Sequence, residues 1–463
     1  MSAKNKAGEP PEHVVVYLDT RDGSYWYQLN GRFVNLKKGD LKLHFYSMGL
    51  SEVVYHNGIR EIDWPFWNAM HKRLIDYAGS LAGHRAGIFR DGAGRQFLVT
   101  DEAGGVWDDL PPRAKSPPPS FFPGFVRELL PGDQSDMFFN WLAIGLRSLR
   151  RGDFQPGQAI ILAGPHRCGK SLLQSTITEI LGGRVANPFR YMFEKTQFNY
   201  DLAGAEHWAI EDPRTTTDMR TRRDFGAAIK EATVNRGFSI HRKNKDALML
   251  PLFRRVSISV NDEPENLAVC PPIESSIEDK LFLFHCKRVE ETFQPFRVVK
   301  GTRSLLVETR NEGELDQAGL WATIKKEIPQ IRAWLLRSFG TIPADHRDDR
   351  FGIKAWQHSD LLEELSEMSS DMRLLRLIDE VLFKPNGKDL PLAEWTGAAM
   401  DLEQLLRESK FAFEAEKCLK GFGQCGSQLG KLAKSQPKRV TKVARSNGNP
   451  AGWIIKNPNL EGK

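Results

Sequence analysis

The stretch ILAGPHRCGKSLLQSTITEILGG, Ile161 to Gly183, constrains this chain more than any other segment. An apolar run, Ala159 to Ala163, enters a loop bracketed by Gly164 and Gly169 and leaves as a helix-forming run. Gly164, Gly169, Lys170 and Ser171 fit G-x-x-x-x-G-K-S/T, the layout of a phosphate-binding loop. Such a loop wraps a β-phosphate with backbone N–H groups, and glycine permits the close approach and positive φ that this requires. The spacing assigns nucleotide contacts to Gly164, Pro165, His166, Arg167, Cys168, Gly169, Lys170, Ser171 and Leu172. Lys170 reaches the β and γ phosphates, Ser171 holds Mg2+ by its hydroxyl, and the helix adds its positive end.

Strands and helices alternate from Gly157 to Val289, so an α/β fold with a mainly parallel sheet is expected. In AEHWAIEDPR an apolar strand ends at Glu211 and Asp212, a pair suited to ordering a Mg2+ shell and polarising an attacking water. Which carboxylate does which is open. FRRVSISVNDEP reads as a strand ending at Asn261, whose amide can bond both a γ-phosphate and the water. Between them, the turn signal NRG separates strand-like EATV from FSIHRK, predicting a hairpin followed by Arg242, Lys243 and Lys245. Clustered cations of this kind hold a nucleic-acid backbone without reading bases.

The rest of the chain supplies context. Of the formal charge of +6, residues Gly421 to Lys463 hold six Lys and two Arg against one Glu, which is +7 and leaves about −1 elsewhere. That distribution fits a nucleic-acid-binding appendage on a neutral body. The five cysteines, Cys168, Cys270, Cys286, Cys418 and Cys425, have no paired spacing, so neither a zinc site nor a disulfide framework is expected. With no long apolar run and no apolar core in MSAKNKAGEPPEH, a cytoplasmic protein without a membrane partner is expected. VVVYLDTRDGSYWYQLNGRFVNL predicts a three-stranded meander, in which a turn explains Asp19 and Asp22. Helical spacing follows near FWNAMHKRLIDYAGSLA, and RQFLVTD reads as a strand. LPPRAKSPPPSFFPG marks a boundary. Near the end, MDLEQLLRES and GSQLGKLAKSQ read as helices and KRVTKVARSNGNPAGWIIKNP as two strands, together a winged helix. Its helix carries Lys431 and Lys434, and its wing Lys438, Arg439, Lys442 and Arg445, which are candidate DNA contacts.

The order of loop, acidic pair, basic hairpin and Asn-tipped strand, all between Gly164 and Asn261, resembles the superfamily 3 helicases of viruses and phages. It is most similar to the helicase half of phage primase-helicase and primase-polymerase proteins, including the primase-helicases of poxviruses. The resemblance covers roughly Phe125 to Val289. It implies an AAA+-like P-loop NTPase core that assembles as a homo-hexamer around DNA, with a small α+β N-terminal domain and a C-terminal winged-helix-like domain. The expected boundaries are 1–110, a proline-rich linker 111–124, the ATPase 125–300, a helical region 301–390 and the basic domain 391–463. By position, Gly164 to Ser171 match Walker A, Glu211 and Asp212 Walker B, and Asn261 motif C; Lys243 and Lys245 fall in the family's DNA-facing hairpin. Where the family has an arginine finger this chain offers Lys280, which supplies charge but not a planar fork; Arg254, Arg255 and Arg288 are alternatives. No primase or polymerase acidic triad is evident at the N-terminus. The implied function is an ATP-dependent, Mg2+-requiring DNA helicase or translocase of a phage or mobile element, acting on single-stranded or forked DNA beside a primase or polymerase. A P-loop small-molecule kinase and a nucleotide-switched DNA-binding ATPase without unwinding are the alternatives.

Overall fold

The computed structural model describes residues 9–112, 119, 121–193, 196, 198–211, 213, 219–241, 247–267, 269–289, 317–367, 370–383, 392–419, 421, 423–443 and 452–457. The chain forms two compact units. One comprises residues 1–214, 224–263 and 277–357; the other comprises 215–223, 264–276 and 358–463.

In the first unit, Tyr25–Leu29 pairs antiparallel with both Val16–Asp19 and Arg32–Leu36, the meander expected from the alternation. Asp19 and Asp22 accept backbone N–H bonds from Arg21 and Ser24, each 2.9 Å, as turn-forming aspartates do. The helical spacing expected across residues 66–82 holds only for Trp64–Lys72. The apolar residues beyond it join strands instead. Leu74–Ile75 adds to the meander and Tyr77–Gly79 pairs with Gln96–Val99, because burial in two sheets outweighs local period.

The body of this unit is a five-stranded sheet in the order Val185–Ala186, His207–Glu211, Arg255–Val260, Ala159–Ala163, Leu281–His285, with every pairing parallel. Its inner strands AIILA and RVSISV are buried along their whole length. AIILA is a continuous apolar run, as suits a parallel sheet covered on both faces, while RVSISV buries Arg255, Ser257 and Ser259 along with its apolar residues. The helices Asp133–Arg151, Lys170–Ile180 and Gln317–Ser338 belong to the same core. Within it Trp141 donates its indole N–H to the Gln158 carbonyl (2.9 Å), and Phe139 meets Trp334 edge-on at 5.0 Å.

The expected strand EATV is instead the last turn of a helix, Met219–Val234. Its β-branched end resembles a strand locally, but the turn NRG joins helix to strand. The antiparallel pair is Gly237–Ile240 with Leu248–Pro251.

The second unit packs the helices Ser370–Ile378, Ala399–Glu408 and Gln424–Ser435 against a three-stranded antiparallel sheet, with Leu374, Leu402, Leu406, Leu429 and Ile455 in its core. Glu394–Gly397, which the sequence did not mark as a strand, flanks Gly452–Lys456 opposite Val440–Val443. Among the described residues no helix is long and apolar enough to cross a membrane.

Candidate nucleotide site

Because all five strands run the same way, their carboxyl ends share one edge, where open α/β sheets bind ligands. Registers place three of the expected groups there. Ala163 lies opposite Val260, so Gly164 and Asn261 leave neighbouring strands side by side. Glu211 lies opposite Ser259 on the far side of the Asn-bearing strand.

The loop geometry follows from its glycines. Gly169 has φ +114°, a conformation that a side chain would strain, and a Cβ there would press the Phe125 ring at 3.1 Å. At Gly164 a Cβ would lie 2.5 Å from the Cys286 carbonyl oxygen, so only glycine lets the loop turn against that strand. Lys170 is 8% exposed and donates to the carbonyls of Gly164 (2.6 Å) and Pro165 (2.8 Å) and to Asn261 Oδ1 (3.2 Å). Ser171 is exposed in the first helical turn. A hydrogen bond from Cys286, aided by the Lys170 ammonium, draws the Cys168 thiol down to about 6. Burial, with Cys168 beside it, pushes Cys286 well up.

Beneath the edge lies a polar network that sequence spacing did not reveal. Gln174, on the loop helix, donates to Ser257 Oγ (2.9 Å) and to the Ile210 carbonyl (3.2 Å). His207 Nδ1 sits 2.7 Å from Thr178 Oγ1, and its Nε2 sits 2.8 Å from Ser257 Oγ. The loop helix, acidic strand and Asn-bearing strand are thereby tied together by buried hydrogen bonds. Complete burial lowers the His207 pKa to about 3, so the ring is neutral at pH 7. As pH falls below about 6.5, the unfolded chain takes up a proton that the folded chain refuses, and stability drops by about 1.4 kcal/mol per pH unit until about pH 3. Urea denaturation at pH 7 and pH 5 should therefore show a steeper loss for the natural chain than for His207→Asn. Equal slopes would contradict this.

The other expected residues fall in several places. Asp212, Arg242, Lys243, Lys245 and Arg445 lie outside the described residues. Lys280 sits just before Leu281–His285, at the opposite edge of the sheet from the loop of its own chain, and pairs with Asp279. Arg254 donates to the Ala232 carbonyl and Arg255 to the Gln155 carbonyl; burial lowers their pKa values to about 10 and about 9, so both serve the core. Arg288 instead reaches the His166 carbonyl of the loop at 3.4 Å. In the second unit Lys431 and Lys434 are exposed on their helix, Lys438 is exposed, and Lys442 lies over the Trp453 ring at 5.8 Å. Arg439 differs: it forks onto Asp379 at 3.1 and 2.6 Å and donates to the Lys456 carbonyl, so its guanidinium holds the fold together.

No family model and no curated protein matches the chain. Among solved structures, it is similar to the A-form apo structure of the NrS-1 C-terminal region, with a TM-score of 0.55 and 14% identity over 96% of both chains. Another apo structure of that region gives 0.55 with 15% identity over the same shares. The SCCmec type IV Cch active helicase superimposes at 0.37, with 10% identity over 96% of this chain and 93% of that one. At such identities the likeness to the NrS-1 region is one of fold: the chain has an α/β architecture shared with it over nearly its whole length.

Proposed function

We propose that this protein is an ATP-dependent DNA helicase or translocase, working as a homo-hexameric ring on single-stranded or forked DNA. The observation that carries the reading is the meeting of the Lys170 ammonium and the Asn261 amide at 3.2 Å, with Glu211 ending the next strand along the same sheet edge. The glycine cradle and this donor set fit a Mg2+-bound triphosphate. The backbone N–H groups from His166 to Ser171 and the Lys170 ammonium hold its phosphates, the ammonium exchanging its carbonyl partners for phosphate oxygens. Ser171 with Glu211 and Asp212 holds Mg2+, which when bound neutralises charge developing on the phosphates. Asn261 orients the attacking water and, through Lys170, registers whether the γ-phosphate is present. Arg288 stands near enough to the loop to add charge in the same chain, while Lys280, at the other edge, serves a neighbouring subunit.

Work is delivered through the antiparallel pair Gly237–Ile240 and Leu248–Pro251. The strand ending at Pro251 is separated from the Asn-bearing strand by only three residues, so motion at Asn261 has a short covalent path to it. The segment between Ile240 and Leu248 carries Arg242, Lys243 and Lys245, which grip the sugar-phosphate backbone. Opening one base-pair step costs about 1.4 kcal/mol on average, a load that hydrolysis of one nucleotide covers. The basic C-terminal domain, residues 391–463, serves as a winged helix that loads the ring beside a primase or polymerase. With Lys243→Ala and Lys245→Ala combined, basal ATP hydrolysis should persist while its stimulation by single-stranded DNA disappears. Stimulation equal to that of the unaltered protein would remove the hairpin from the mechanism.

A further inference from the structure

A second cleft, of about 620 Å³, opens in the first unit away from the phosphate loop. Its size falls within the range of small-ligand pockets, roughly 300–1,000 Å³. It lies where Gly83 to Phe89, the end of the helix Asp133–Arg151 and the root of the basic hairpin converge, Arg236 and Pro251 belonging to that root. The walls are aromatic and cationic. Arg85 lies over the Trp107 ring at 5.6 Å, His84 packs on Phe89 at 4.6 Å, and His84 also meets Phe154 at 4.9 Å.

The local backbone is built to this shape. Phe154 adopts φ +48°, a strained conformation for an aromatic residue, and its ring closes on Gly83, where a Cβ would lie 2.6 Å away. His84 bonds the Pro251 carbonyl at 2.9 Å, and burial holds its pKa below the ordinary value. Asp153, the carboxylate of the cleft, already accepts from Ser148 Oγ at 2.6 Å. Arg150 is spent on the backbone carbonyls of Val106 and Asp108. Arg85, Arg151 and Arg236 are exposed and form no ion pair with the described carboxylates, which leaves three guanidinium groups beside stacking surfaces.

We propose that this cleft binds single-stranded polynucleotide, with Arg85, Arg151 and Arg236 on the phosphates and a base stacked on Trp107. Guanidinium groups interleaved with aromatic faces are the chemistry that holds single strands without reading sequence. This requires no hydrolysis at Lys170, so binding measured without nucleotide separates its failure from failure of the motor reading.

The test is fluorescence anisotropy of a labelled oligo-thymidine and of an abasic strand of equal length on the full chain, across a salt series. Arg85→Ala with Arg236→Ala should weaken both strands and reduce the slope of log affinity against log salt by about 0.7 per guanidinium. Trp107→Leu should weaken the base-bearing strand about 5- to 100-fold and leave the abasic strand nearly unchanged, with Trp107→Phe restoring much of the loss. Affinity and slope unchanged in the arginine double variant would overturn the site. Equal losses on the two strands in Trp107→Leu would overturn the stacking. Thermal melting of each variant checks folding; if Trp107→Leu melts early, the arginine pair, exposed and without an ion pair among the described residues, decides alone.

Discussion

Replacing Lys170 with alanine is expected to lower ATP turnover by a factor on the order of 10²–10³ or more, as loss of a preorganised electrostatic donor does. The ammonium is the point charge at the sheet edge aimed where phosphate oxygens would gather, held by the carbonyls of Gly164 and Pro165 and by Asn261. Those carbonyls remain after the substitution, and the loop keeps its glycine conformation, so the variant should fold. Nucleotide affinity and steady-state phosphate release are the measurements. Turnover within a few-fold of the unaltered protein would mean that the loop is only a turn between strand and helix.

Replacing Glu206 with alanine is expected to cost about 3–5 kcal/mol of stability, the effect of removing one partner from a buried ion pair. Glu206 is fully buried, accepts from the Gly83 N–H at 2.8 Å, and is bound by two nitrogens of Arg184. Arg184 also reaches the Asp101 carboxylate and the Leu81 carbonyl, so one carboxylate joins the strand-rich segment around residues 81–101 to the parallel sheet. Without it the Gly83 N–H loses its acceptor and the buried guanidinium keeps only Asp101 and the Leu81 carbonyl as partners. Glu206→Gln, which keeps an acceptor for Gly83, should lose less. Urea denaturation followed by tryptophan fluorescence measures both, and a loss below about 1 kcal/mol for the alanine variant would be inconsistent with this arrangement.

The parallel sheet was legible because AIILA reads as an unbroken apolar run, RVSISV alternates as a strand does, and helices fall between the strands, with Gly164, Glu211 and Asn261 as end marks. The helices Lys170–Ile180, Ala399–Glu408 and Gln424–Ser435 were legible, the first from its place after the glycine loop and the others from their spacing. Local signals misled where tertiary pairing decided. Ala232 to Val234 look like a strand yet finish a helix, and Leu74 to Gly79 continue a helical pattern yet enter two sheets. The network of Gln174, His207 and Ser257 was not legible at all. It depends on the strand order that sets His207–Glu211 beside Arg255–Val260, and spacing along the chain does not encode that neighbour relation. The same holds for the arginine-lined cleft, whose walls come from separate segments spread between Gly83 and Pro251.

The coupling of triphosphate chemistry to a polynucleotide is tested most directly by phosphate release from the full chain with ATP and Mg2+, measured as a single-stranded oligonucleotide is titrated in. The rate should rise severalfold and saturate with the strand, and the rise should vanish in Asn261→Ala. A rate that the oligonucleotide leaves unmoved at saturating ATP would contradict the motor reading.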